Sequence, residues 1–132
     1  MKKYIAHGLA SMALAAATSS AAAQSGLPPR TQDFMRDAIQ LATLLGKVHA
    51  VRITCNGRGD QYWRNHMRDL LNTEAPGQSS FRSTLAKAFN DSYSRESARR
   101  PICDTATAAA EAQYAAEGAE IAERLAVHYL PK

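Results

Sequence analysis

Cys55-Asn56-Gly57-Arg58-Gly59-Asp60-Gln61-Tyr62-Trp63-Arg64 is the stretch on which the architecture turns. It ends one helical pattern, reverses the chain on two glycines, opens a second pattern and holds one of only two cysteines. Upstream, Phe34, Ala38, Leu41, Leu45 and Val48 recur at steps of three and four, with Leu44 beside them, so an amphipathic helix is expected to about Thr54. Thr31 is its expected cap, with Asp33 in the first turn. Arg52 falls on this stripe where an apolar residue belongs; the favoured reading is that it snorkels at the helix end, the sharper one that it pairs with Glu111. Downstream, Asp60 is the expected cap of a second helix whose inner residues are Trp63, Met67, Leu70 and Leu71.

Two more helices follow by the same reasoning. Pro76 and Gly77 end the second, and Ser79 or Ser80 opens a third with Phe81, Leu85, Ala88 and Phe89 inside. Pro101 stops it, because a residue before proline avoids the helical region. Asp104 then caps a fourth, alanine-rich helix that turns Ala110, Tyr114, Gly118, Ile121 and Leu125 to one side. Short connections favour antiparallel neighbours, so the expected fold is all-α, an up-down-up-down four-helix bundle. In that topology Cys55 and Cys103 lie at the same end, where a disulfide would join them.

The amino terminus fixes the expected compartment. Lys2 and Lys3 precede an apolar run from Tyr4 to Ala17, and Ala21, Ala22 and Ala23 precede Gln24, which is the layout of a secretory signal peptide cleaved after Ala23. The run is too short and too interrupted for a membrane span, so no transmembrane anchor is expected after processing. The organisation read from this is 1–23 signal peptide, 24–30 flexible leader and 31–130 a single helical domain. Losing two lysines and no acids lowers the formal charge from +4 to +2. An even pair of cysteines in an oxidising compartment reads as a structural disulfide. The expected location is the periplasm, where nucleic acid is not an expected partner.

Several segments together carry a resemblance: Leu44 to Arg52 leading to Cys55, then Trp63, Arg64 and Met67, Glu74-Ala75-Pro76, Leu85 with Ala88-Phe89-Asn90, and Cys103. The chain resembles an uncharacterised family of short exported alphaproteobacterial proteins marked by two well-separated cysteines. The resemblance implies export and a disulfide, and brings no activity with it.

The residues that carry chemistry are few. His49, His66 and His128 lie on three helices without ligand spacing, so no metal and no cofactor is expected. No CxxC pair, serine-hydrolase motif or phosphate loop is present, and pairing would remove both thiols as nucleophiles. Glu111, Glu117, Glu120 and Glu123 read as a solvated helical face, with Glu120 and Arg124 an ordinary surface pair. Arg52, His49 and Glu111 are the candidate buried polar residues. Arg64 and Arg68, one turn apart on the second helix, form with Arg58 the candidate binding face, suited to an anionic lipid, a wall polymer or an acidic face of an envelope protein. The expected function is therefore a non-enzymatic periplasmic helical protein that binds another envelope component. The alternatives are a disulfide-stabilised stress chaperone, or an enzyme acting on envelope material through residues that meet only in the fold.

Overall fold

The computed structural model describes residues 30–131. The expected signal peptide, 1–23, and the expected leader apart from Arg30 lie outside the described residues. Four helices account for the fold: α1 (Gln32–Asn56), α2 (Tyr62–Glu74), α3 (Ser80–Arg99) and α4 (Thr105–Val127). Among the described residues there is no strand, and no helix is long and apolar enough to cross a membrane.

Local chemistry starts three of the helices as the sequence leads one to expect. Thr31, Ser79 and Asp104 each accept a hydrogen bond from the backbone N–H three residues on. The start of α2 differs. Gln61 occupies its cap position and makes no side-chain cap bond, while Asp60 accepts from the Tyr62 N–H at 3.1 Å and turns its other oxygen to Arg52 and Asn56. One carboxylate thus serves both the first N–H of α2 and Arg52.

The directions of the helices follow from their ends. Cys55 is bonded to Cys103, and the Thr54 hydroxyl donates to the Arg100 carbonyl, so α1 and α3 finish where α4 begins. At the opposite end Phe34 packs on Phe81 and, edge to face, on His128. The fold is thus the expected four-helix bundle with one disulfide, running up, down, up and down.

Its helices are not equivalent. α1 is the hub: it packs extensively on α3 and α4 and less on α2, while α2 barely meets α3. No close backbone approach joins α4 to α2 or to α3. Consequently α1 is buried well beyond its inner stripe, with Ala42, Gly46, His49, Ala50 and Val51 all inside. Gly46 marks where α1 and α3 come closest, since a Cβ there would stand 2.3 Å from the Phe89 carbonyl oxygen.

Side chains bridge what the backbones leave apart. Between α3 and α4, buried Glu96 accepts from the Tyr114 hydroxyl at 2.7 Å and from Arg100 at 2.6 Å, and Arg99 donates to both Glu96 and Tyr114. Between α1 and α4, buried Asp37 accepts from Arg124 at 3.2 Å. Arg124 therefore serves Asp37 rather than the expected surface partner Glu120.

Candidate functional site

Because the backbones of α2 and α4 both rest on α1 without approaching each other closely, an apolar groove runs between them. Leu41, Leu44, Leu45 and Val48 of α1 form its floor. Trp63, His66, Leu70 and Thr73 form the α2 wall, and Ala115, Gly118, Ala119, Ala122 and Ala126 the α4 wall. Its volume is about 580 Å³, within the range of ligand-binding clefts. The alanines explain why it stays open: side chains that short cannot span the gap to α2, and Leu70 remains only half-buried for the same reason. Of the inner residues expected for α2, only Met67 is fully buried, while Trp63, Leu70 and Leu71 are half-buried.

Polar clusters stand at both ends of the groove. At the disulfide end Arg52 donates to Asp60 at 2.6 Å and to Glu111 at 2.9 Å, its guanidinium lies 4.8 Å from the centre of the Tyr62 ring, and the Trp63 indole N–H donates to Glu111 at 3.2 Å. This corrects the snorkelling reading: Arg52 takes Glu111 as partner, half-buried rather than fully so. Hydrogen bonds from Asn56 and Arg52 hold the Asp60 carboxyl at about 2. At the far end the Tyr129 hydroxyl donates to buried Glu74 at 2.6 Å, with Arg30 3.9 Å from the same carboxylate. Burial and Glu74 push the Tyr129 phenol up to about 12, which keeps it a donor.

The remaining residues singled out from the sequence lie elsewhere. His49, 3% exposed, stacks on Phe89 at 5.7 Å and tilts against Tyr93, on the side of α1 away from the groove. Its Nδ1 is buried without a hydrogen-bond partner, and burial, then Arg64, lowers its pKa, so the ring is held neutral. Arg52 and Glu111 come together, and His49 stays apart from them. His66 packs with Tyr62 and Trp63, and His128 with Phe34, so the three histidines do not converge. Among the described residues no group of three His, Cys, Asp or Glu side chains is placed to hold a metal.

Arg64 and Arg68 are exposed and line a second cleft of about 460 Å³ between α2 and α3, with Gln61, Asn65 and Asn90 around them and Met67, Leu71 and Phe89 beneath. Among the described residues neither arginine has an ion-pair partner. Arg58 lies in the exposed turn before α2 and outside that cleft.

The α4 wall was missed by sequence reasoning. Its signal was present as a second run of alanines beside the inner stripe, but alanine fits helix propensity and contact equally well, so its sequence position does not reveal a groove.

Residues 33–129 match the model of a family described as a protein of unknown function (DUF2385). No curated protein and no solved structure matches the chain.

Proposed function

We propose, from the premise that the chain belongs to the DUF2385 family of unknown function, that it is an exported, non-enzymatic binding protein of the cell envelope. Its binding element in this reading is the α2–α4 groove, which holds an apolar part of another envelope component. One observation carries it: a cleft of about 580 Å³ with an aliphatic floor stands open in a bundle of this size, where such a surface is otherwise buried. The polar groups that catalysis would need are engaged in fixing the fold, as Arg52, Glu111, Glu96 and Asp37 are. The signal-like amino terminus and the Cys55–Cys103 bridge support a periplasmic location.

The test is binding of an apolar reporter dye, anilinonaphthalene sulfonate, to the folded mature protein, with Ala122→Trp as a plug in the groove. Dye fluorescence that rises with the parent and falls with the plugged variant is the expected result. Dye that ignores the native fold, or binds both equally, removes the groove as a binding element.

A second reading has its own observation. Arg64 and Arg68 share a cleft with three amide side chains and have no ion-pair partner among the described residues, as suits an acidic group on the partner. Charge reversal of both to glutamate should abolish binding to anionic vesicles or acidic wall polymer; unchanged binding removes this face.

A further inference from the structure

Resting on the reading of the groove as a binding element, we infer that its occupant is an α-helix of another protein, apolar on one face and flanked by lysine or arginine.

Shape is the first argument. The α4 wall belongs to a row, Ala108, Ala112, Ala115, Ala119, Ala122 and Ala126, whose spacing alternates between four and three residues. That is the spacing of a coiled-coil seam, where each position meets the same side of a neighbouring helix. α4 already uses Thr107, Ala110, Tyr114, Ile121 and Leu125 against α1; the alanine row is a second seam, exposed or half-buried along its length. Alanines let a helix approach to the short end of the usual 8–10 Å interaxial range, roughly 8 Å. The wall from Trp63 to Glu74 on α2 is about 17 Å long, three turns of a helix.

Charge selects among helices. Asp69 lines the α2 wall, Glu123 is exposed on α4 one turn from Ala119 and outside the lining, and neither has an ion-pair partner among the described residues. Of the arginines at the groove ends, Arg52 is committed to Asp60 and Glu111, while Arg30 stands 3.9 Å from Glu74 with its buried Nη1 making no hydrogen bond. His66 is the one further basic side chain in the lining. An occupant with cations beside its apolar face therefore meets two free carboxylates. A second copy fits worse, because docking its own alanine row would bring Glu123, one turn from Ala119, towards Asp69. A fatty-acid anion would meet Asp69 along the wall and has only Arg30, beside Glu74, to turn to, which a fatty-acid probe tests.

Trp63, the only tryptophan of the chain, lies in the wall and reports occupancy. The mature protein is titrated with three synthetic peptides of about 18 residues. They carry leucine and alanine at three-four spacing with lysine flanks, and differ in register. The same peptides with glutamate flanks and an anthroyloxy fatty acid are the comparison probes, and sedimentation velocity follows self-association. At least one lysine peptide is expected to shift Trp63 emission and to lose about tenfold in affinity against Ala119→Arg, which stands in the seam at an exposed site. The Asp69→Asn, Glu123→Gln double variant should lose about threefold to tenfold, and less at high salt. Equal binding of glutamate peptides overturns the charge assignment. Binding of the fatty acid with no peptide bound, or self-association that Ala119→Arg abolishes, overturns the helix of another protein while leaving the groove as a binding element. If no probe binds, both the inference and the groove reading fall.

Discussion

Gly46→Ala sets two physical effects against each other at one position. Gly46 lies in the middle of α1, where alanine is favoured over glycine by about 1 kcal/mol. Against this, the new Cβ would stand 2.0 Å from the Ser92 hydroxyl oxygen and 2.3 Å from the carbonyl oxygen of Phe89. The hydroxyl is buried and donates to that same carbonyl, and the carbonyl belongs to the α3 backbone, so neither moves aside cheaply. Reaching a normal carbon–oxygen contact requires α1 and α3 to separate by about 1 Å, enough to forfeit a quarter to a half of the dispersion between facing atoms. Leu45, Val48, Leu85 and Phe89 all pack in that layer. With overpacking alone costing about 1–3 kcal/mol, the net expectation is destabilisation by about 2–4 kcal/mol. Gly118→Ala is the matched control: its Cβ would meet only Leu41 Cδ1, at 3.7 Å, an ordinary contact. There the helix propensity should prevail, stabilising by about 0.5–1 kcal/mol. Equilibrium urea denaturation followed by circular dichroism, with the disulfide intact, measures both. In thermal melts Gly46→Ala should fall by roughly 10–20 °C while Gly118→Ala rises by a few degrees. A Gly46→Ala protein as stable as its parent would refute the close α1–α3 approach.

Three further outcomes follow from the same geometry. The Cys55 and Cys103 thiols should resist alkylation until reduced; closing a span of 48 residues contributes about 4 kcal/mol on a chain-entropy estimate. Replacing both with serine should lower the melting temperature by at least about 10 °C, and a smaller loss would show that the bridge constrains little. Glu96→Gln removes the charge that gathers Tyr114, Arg99 and Arg100. Exposed Arg99 can turn to water, which moderates the cost to about 2 kcal/mol in urea melts. Burial pushes the Glu96 carboxyl up, but those three donors outweigh it and hold it below the ordinary range. Its contribution is therefore present above the unfolded-state pKa and lost as pH falls through the folded one, so parent and variant should converge in acid. Asp60, moved from 3.8 to about 2, follows the same sign: the melting difference between the parent and Asp60→Asn should hold at neutral pH and shrink between about pH 4 and pH 2. A difference that persists at pH 2 would mean that Asp60 acts other than through its charge.

Much of the architecture was legible in the sequence because it depends on local chemistry. Helix periodicity, the caps at Thr31, Ser79 and Asp104, the stop at Pro101 and the turn at Gly57 each involve residues within a few positions of one another. The cysteine positions then carried the topology, because an even pair at matching helix ends leaves one convenient way to close the bundle. Legibility stopped where competition between distant groups decides. Asp60 reads as the cap of α2, and only the arrival of Arg52 and Asn56 from α1 shows that one of its oxygens serves them while the other holds the Tyr62 N–H. Arg124 had Glu120 on its own helix, yet Asp37 of α1, buried and in need of a cation, takes it. The role of Gly46 was equally hidden, since a glycine within a helix reads as weakness until α3 is seen lying against it. The groove shows the limit most directly. Four amphipathic helices, their order and their bridge can be read from residue spacing alone. That α1 became the hub, leaving the second alanine face of α4 without a helix against it, was decided only in the tertiary structure, because a row of alanines suits a covered face as well as an open one and only the packing angles choose between them.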